Sequence, residues 1–395
     1  MLIHLATDND IHPARFGATQ RTMGLARGLA RRNDVRALCV VPNRSAGAAS
    51  ERVDDVTLVR TRAWYTSLAW RLERAHLAPL FVAARGHRHA ARRLVAALGG
   101  TPDVFAADLL LTPLFAASAA PFKTYMAHNF ELGHFVDTRA SGSASARWRD
   151  ELERLERAAV EAAALVVACT ADDAARFVER YGAAPDAVCV IANGWDDTRL
   201  GVVTPESRAR ARAALGLETQ GPVALFVGSD VPHNRAALAA LLEHVAPALA
   251  RQGGTLLVAG SVSRARARGA HVRVLGEVDD LAPVLHAADV GLNPAAAGGG
   301  SNVKLPTYLA SGLAALTTPH GLRGYPELSP YASVAPIERF AEAIAARPRS
   351  WAADGGAMPE PIAALGWTRL GERLAATFAA RVTRTPELRA GGVGA

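Results

Sequence analysis

Lysine is almost missing from this chain of 395 residues: only Lys123 and Lys304 occur, so 42 of the 44 basic residues are arginine. A lysine kept against such a bias draws attention to its position. Cysteine is as scarce. Cys39, Cys169 and Cys189 lie far apart in apolar runs, without metal-ligand spacing, and read as small buried thiols of a reducing compartment. No uninterrupted apolar run approaches the roughly 18 residues of a membrane-spanning helix. The opening Met1-Leu-Ile-His-Leu-Ala-Thr7 meets Asp8, Asn9 and Asp10; it lacks the basic start and longer apolar stretch of a signal peptide and reads as a buried strand. A cytoplasmic protein is the expectation. Neither half carries Gly-x-Gly-x-x-Gly after its first strand, and no P-loop occurs, which argues against hydride-transfer enzymes and P-loop NTPases.

What is present is an ordinary globular balance, 50% hydrophobic and 21% charged, which excludes intrinsic disorder. The formal charge of +7 is local. Between Arg60 and Gly100 stand eight arginines (60, 62, 71, 74, 85, 88, 92, 93) against one acid, Glu73, so the remainder sums to zero. Trp64, Tyr65, Trp70, Leu72, Leu77, Leu80 and Phe81 are interleaved with them. Arginines with interfacial aromatics suit an anionic membrane surface; a helix packed on its own domain with arginines in water is the plainer account. Nucleic acid is not expected, because no recognised module accompanies the charge.

Short β-rich runs alternate with amphipathic helical stretches, the pattern of parallel α/β layers. Strands are predicted at 2–7, 35–41, 56–60, 124–129, 165–170 and 187–193, with helices at 18–32, 148–164 and 171–181. After a polar stretch a helix at 204–217 leads into a second series: strands at 223–229, 255–260, 272–278, 290–294 and 313–318, helices at 234–251, 281–288 and 302–311. The expectation is an α/β protein of two doubly wound, Rossmann-like domains, 1–197 and 198–385. The last helix, about 366–383, is expected to pack back on the first domain, and 386–395 to form a flexible tail. Ligands of such sheets bind beyond the carboxyl ends of strands.

The richest such place is Asn293-Pro-Ala-Ala-Ala-Gly298-Gly299-Gly300-Ser301-Asn302-Val303-Lys304-Leu-Pro-Thr307-Tyr308. A strand ends, glycines allow close approach, and a helix is expected to start near Ser301. Its free amides and dipole would suit a phosphate or diphosphate, and Lys304 in the first turn opposes the dipole unless it meets an anion. The alternative is a flexible turn with an ordinary cap.

This run, followed by Thr317-Thr318-Pro319-His320-Gly321-Leu322-Arg323-Gly324, resembles the donor segment of GT-B-fold glycosyltransferases, and more narrowly the retaining family 4 group (glycosyl transferases group 1). Phe226-Val-Gly228-Ser229-Asp230 with Pro232-His-Asn234 resembles the loop opening that family's second domain. Leu275-Gly276-Glu-Val278-Asp279-Asp280 resembles the turn beside the nucleotide base, and His286-Ala-Ala-Asp289-Val a strand entry. In the first half, Phe16-Gly17-Ala-Thr-Gln20-Arg21, Ala127-His128-Asn129-Phe-Glu131 and Val190-Ile-Ala-Asn193-Gly194 have counterparts. The likeness covers most of the chain and is weakest between residues 45 and 115. Members usually carry two glutamates eight positions apart where this chain has Gly299 and Thr307, and the second normally meets the nucleotide ribose.

The resemblance implies two domains facing across a cleft and transfer of a sugar from a nucleoside-diphosphate sugar to a hydroxyl, with anomeric configuration retained and without a metal or other cofactor. It implies a donor site of Gly228, Ser229, Arg235, Gly260, Val278, Asn293, Gly299, Gly300, Ser301, Asn302, Val303, Lys304 and Thr307. Gly17, Gln20, Arg21, His128 and Asn129 would serve a glycan or lipid-linked acceptor, and His128, Lys304 and Asn302 catalysis. From spacing alone, His128 equally reads as a strand-end histidine, and Gly17 with Gln20 and Arg21 as a turn and helix. Asp230 would repel phosphate and either caps a helix or holds Arg235, leaving Lys304 the cationic duty with Arg235 or Arg323 as helpers. The departures at Gly299 and Thr307 favour a second reading, a protein binding a nucleotide or glycan without turnover. A nucleotide-sugar epimerase would need an acid–base pair that the motifs do not supply. Peripheral attachment at the inner membrane face through Arg60–Arg93 completes the expectations.

Overall fold

The computed structural model describes residues 1–43, 45, 47–138, 143–217, 221–264 and 271–383; the expected tail 386–395 lies outside them. The chain forms two compact units. Unit 1 takes Met1–Ala192 and the segment from Trp367 onward, and unit 2 takes Asn193–Gly366.

Unit 1 is built on eight strands: β1 (Leu2–Thr7), β2 (Asp34–Pro42), β3 (Ser50–Val53), β4 (Val56–Ala63), β5 (Val104–Ala107), β6 (Phe122–Met126), β7 (Leu165–Ala168) and β8 (Val188–Val190). Their order is β3-β4-β2-β1-β5-β6-β7-β8, parallel except for the β3–β4 hairpin. Leu5 stands opposite Ala37 on one side and Ala106 on the other. Because side chains alternate across a strand, Ile3, Leu5, Val35, Ala37 and Cys39 enter one core with Met23, Leu25 and Leu374. Ala6, Leu38, Val40 and Phe105 enter the opposite one with Leu94 and Leu111. Burial on both faces is what a parallel sheet requires.

The helix Trp367–Thr383 packs on the helix Gly17–Ala30, and glycine makes the approach possible. A Cβ on Gly24 would sit 2.4 Å from the Trp367 ring, and one on Gly28 2.6 Å from the Gly371 Cα. Unit 2 has six parallel strands: β9 (Val223–Val227), β10 (Thr255–Ala259), β11 (Val272–Gly276), β12 (Val290–Asn293), β13 (Ala314–Thr317) and β14 (Ser333–Val334), in the order β11-β10-β9-β12-β13-β14. Phe226, Val258 and Leu292 share a core with Leu238, Leu241 and Phe340. The single helix expected over 234–251 is two, Pro232–His244 and Ala246–Arg251. Pro247 brings no N–H and clashes with the preceding turn, so the first helix ends before it.

Candidate active site

In unit 1 the strand order reverses between β1 and β5, the kind of place where doubly wound sheets hold ligands. Asp8 directly follows β1, Asp108 directly follows β5, and His128 stands two residues beyond β6. His128 Nε2 lies 3.1 Å from Asp108 Oδ1, off the line of a straight hydrogen bond, and Asp108 is buried. Burial alone lowers the imidazole pKa, but Asp108 outweighs it and holds His128 above its ordinary value. Asp8 is pushed up to about 7, chiefly by burial and further by the Asp108 charge. Titratable groups so displaced can hold or move a proton near neutral pH. Asn129 Nδ2 donates to Glu131 Oε1 at 3.0 Å. Beneath this turn Glu156 is fully buried. It accepts from the amides of Glu131 (2.8 Å) and Leu132 (3.1 Å) and from the hydroxyls of Tyr125 (3.3 Å) and Tyr181 (2.9 Å), fixing the start of the helix Glu131–Thr138.

In unit 2 the reversal falls between β9 and β12. Lys304 begins the helix Lys304–Ala310; its Nζ donates to Asn234 Oδ1 at 3.0 Å and stands 5.6 Å from the centre of the Phe226 ring. The Asn234 amide donates to Ser229 O (2.9 Å) and Ser229 Oγ (3.3 Å), which turns its oxygen to the lysine. Burial lowers the ammonium pKa to about 8. Among the described residues no carboxylate pairs with it. A desolvated cation facing only an amide and a ring is costly without a counter-charge, so the place suits an anion.

Residues 16–194 match the model of the glycosyl transferase 4-like domain, and residues 221–347 that of glycosyl transferases group 1. The chain belongs to the group 1 glycosyl transferases. Over 77 residues it is 42% identical to D-inositol 3-phosphate glycosyltransferase of Nocardia farcinica (strain IFM 10152), taking in 20% of this chain and 16% of that protein. The Nocardioides sp. (strain ATCC BAA-499 / JS614) enzyme of the same name is 43% identical over an equal stretch, again 20% and 16%. The chain thus matches about a sixth of the length of these relatives. Among solved structures, sucrose-phosphate synthase from Thermosynechococcus elongatus has a TM-score of 0.67 at 18% identity, covering 98% of both chains. WaaG, a glycosyltransferase involved in lipopolysaccharide biosynthesis, gives 0.60 at 16%, covering 99% of this chain and 100% of its own. Anabaena HepE in complex with UDP gives 0.54 at 16%, covering 98% and 99%. These likenesses show the GT-B fold.

The residues expected at the site fall as follows. Gly228, Ser229 and Gly260 gather at the ends of β9 and β10: Gly260 has φ +90°, and a Cβ there would meet Gly228 O at 2.3 Å. Val278 is half-buried beyond β11. The helix expected from about Ser301 begins three residues later. Ser301 is instead held by Asn193, whose Nδ2 donates to Ser301 O at 2.8 Å, and Asn302 and Val303 lead into the helix half-buried. Thr307 Oγ1 is turned back on Val303 O at 2.8 Å. Asn293 is buried, its amide donating to Thr317 Oγ1 (3.1 Å) and Gly321 O (3.0 Å).

Both arginines named as helpers are engaged within the chain itself. Arg235 Nε donates to Asp230 Oδ1 at 2.5 Å. Arg323 clamps the glycine loop around Gly299 through Gly298 O (2.7 Å) and Gly300 O (2.7 and 3.2 Å). In unit 1, Gly17 and Gln20 lie in the first turn of the helix Gly17–Ala30. Arg21 is buried and Nη1 donates to Ile191 O (2.7 Å) and Ala192 O (3.2 Å). His128 lies beyond β6 and not on it, as β6 ends at Met126. Sequence reasoning missed Asp108 and Glu156. An acid directly after the apolar Val104-Phe-Ala-Ala107 was the available signal for Asp108; a glutamate inside a charged helix gave none for Glu156. Among the described residues no three His, Cys, Asp or Glu side chains gather as metal ligands, and no helix is long and apolar enough to cross a membrane.

Proposed function

We propose that the protein transfers a sugar from a nucleoside-diphosphate sugar to a hydroxyl acceptor with retention of anomeric configuration, in the synthesis of a polysaccharide or glycoconjugate. The observation that carries this reading is Lys304, a half-buried cation at the reversal point of unit 2 with a neutral partner. The donor diphosphate is its counter-ion. As the sugar leaves, charge grows on the diphosphate, and the Lys304 ammonium with the Ser301–Val303 amides stabilises it without a metal. Unit 1 binds the acceptor, its hydroxyl placed by Asp108 and His128, and the arginine-rich surface from Arg62 to Arg93, without Arg60, which is buried against Asp10 and Glu51, holds the protein at the inner face of the membrane.

A thermal-shift panel in chelator with UDP, GDP, ADP, dTDP and CDP tests the donor site. HepE, solved with UDP, makes UDP the first nucleotide to try. A ligand at a hundred times its dissociation constant adds about 2.7 kcal/mol of stability. A selective shift lost in Lys304→Ala supports the reading, and no shift with any nucleotide overturns it.

Thr307 favours a second reading. Its hydroxyl hydrogen is spent on Val303 O, leaving no carboxylate for a ribose, which suits a protein that binds a nucleotide without turnover. Sugar transfer by the isolated protein, abolished by Lys304→Ala, excludes that alternative.

A further inference from the structure

Beside the carboxyl end of β4 lies a groove of about 740 Å³ between the helices Trp64–Arg74 and Ala83–Ala96, large enough for a small-molecule ligand. Its two walls differ in chemistry. On the first helix Trp64, Leu68 and Leu72 follow at intervals of four and present one apolar row. On the second, Arg85, His89 and Arg93 follow at the same interval and present a basic row, with small residues, Gly86 and Ala90, between the walls. Arg62, at the end of β4, joins the rim with its guanidinium donating to Ser45 O (3.2 and 3.3 Å) and Gly47 O (2.8 Å).

Among the described residues nothing shields the start of the apolar row from solvent. Trp64 is 68% exposed and Leu68 45%, a large apolar surface to leave beside water. The stretch is also rich in cations: of its eight arginines Arg60 is buried against Asp10 and Glu51, and the other seven share the stretch with one acid, Glu73. Arg85 is engaged by Glu151 at 2.6 Å, whereas no carboxylate pairs with Arg93 among the described residues. Tyr65 also lines the groove, and its buried hydroxyl has no hydrogen-bond partner among them.

An apolar wall opposite a basic wall is the complement of one kind of molecule, a hydrocarbon chain ending in an anion. We propose that this groove binds a single-chain lipid phosphate, the hydrocarbon along Trp64, Leu68 and Leu72 and the phosphate at Arg93. This rests on the reading of unit 1 as the acceptor side, and it names the acceptor class as lipid-linked. The topology agrees. β4 is separated from β1 by β2 alone, so strand spacing puts the groove roughly 10 Å from the end of β1 along the same carboxyl edge. A sugar or alcohol attached to the bound phosphate then extends toward Asp8, Asp108 and His128, while the chain points away from them.

Calorimetry on the full chain tests this, with decyl phosphate below its micellar concentration as probe and decyl maltoside and inorganic phosphate as controls. The expected result is binding of decyl phosphate at least tenfold tighter than either control, weakened at least tenfold by Leu68→Glu and by Arg93→Glu. Both replaced side chains are exposed, and circular dichroism with an unchanged nucleotide thermal shift checks that the variants remain folded. Equal binding of decyl phosphate and either control, or wild-type affinity in both variants, overturns the proposal. So does sedimentation with phosphatidylglycerol vesicles without affinity for the monomeric amphiphile, which would make the patch a surface contact only. Nucleotide binding without alkyl-phosphate binding sinks the groove and spares the donor site; the reverse pattern does the opposite.

Discussion

His128 Nε2 stands 3.1 Å from Asp108 Oδ1, and this contact joins the turn after β6 to the end of β5. The aspartate sets the charge state of the imidazole. Replacing it as Asp108→Asn leaves burial and the Arg21 charge opposed by Glu131 only, so the His128 pKa falls. An NMR titration of His128 should show the acid shift, and turnover should drop by about a hundredfold. A His128 that titrates as in the wild type would detach Asp108 from the histidine's behaviour.

Lys304→Ala removes the half-buried ammonium and leaves Asn234 within a polar turn. Turnover should fall by about a hundredfold or more while the melting temperature holds or rises, since a desolvated charge has been deleted. Steady-state kinetics beside a melting curve distinguish this from unfolding; unchanged turnover removes Lys304 from the mechanism.

Lys304 also gives donor binding a pH dependence. With its pKa lowered to about 8, the lysine is charged below that value and neutral above it. Affinity for a nucleoside diphosphate should therefore be level below pH 8 and decline as pH rises through it. Lys304→Arg, whose guanidinium stays charged, should level the profile. Titrations at pH 6.5, 8 and 9.5 decide the matter.

Glu156 holds four donors inside unit 1. Glu156→Ala leaves two tyrosine hydroxyls and two amides unpaired, and should cost about 3 kcal/mol or more in urea unfolding. A smaller loss would mean that water or a neighbouring acceptor replaces the carboxylate.

Gly24→Val would drive a side chain into the Trp367 ring, which a Cβ alone already meets at 2.4 Å. The expected loss is about 2 kcal/mol, with tryptophan emission moving to longer wavelength as Trp367 leaves the core. Unaltered emission and stability would show that the last helix shifts without strain.

The two sheets were legible because parallel strands buried on both faces leave compact apolar runs in the sequence: β1 is found at Leu2–Thr7 as predicted, and most others within a few residues. β5 was not, since four residues without alternation carry no periodic signal, although it lies beside β1 in the sheet. The glycine loop and Lys304 were legible through motif and composition. Their partners were not, because Asn234 lies 70 residues from Lys304 and Asp108 lies 20 from His128, and only the crossovers of the fold bring them together. Arg21, Arg235 and Arg323 show the other limit. A guanidinium in a motif reads as an anion receptor until its carbonyl and carboxylate partners are visible.

Unit 2 is one continuous stretch of chain, and its ends are fastened to each other. Trp195 bridges to Gly366, its amide donates to Leu365 O at 3.1 Å and its indole to Ile362 O at 2.8 Å. Unit 1 is instead completed by a helix that arrives only after unit 2 has been made. The second half is therefore a cassette that can be excised or exchanged by cuts at two adjacent points, whereas a chain ended at Gly366 would deprive the first half of the helix that covers Gly24 and Gly28.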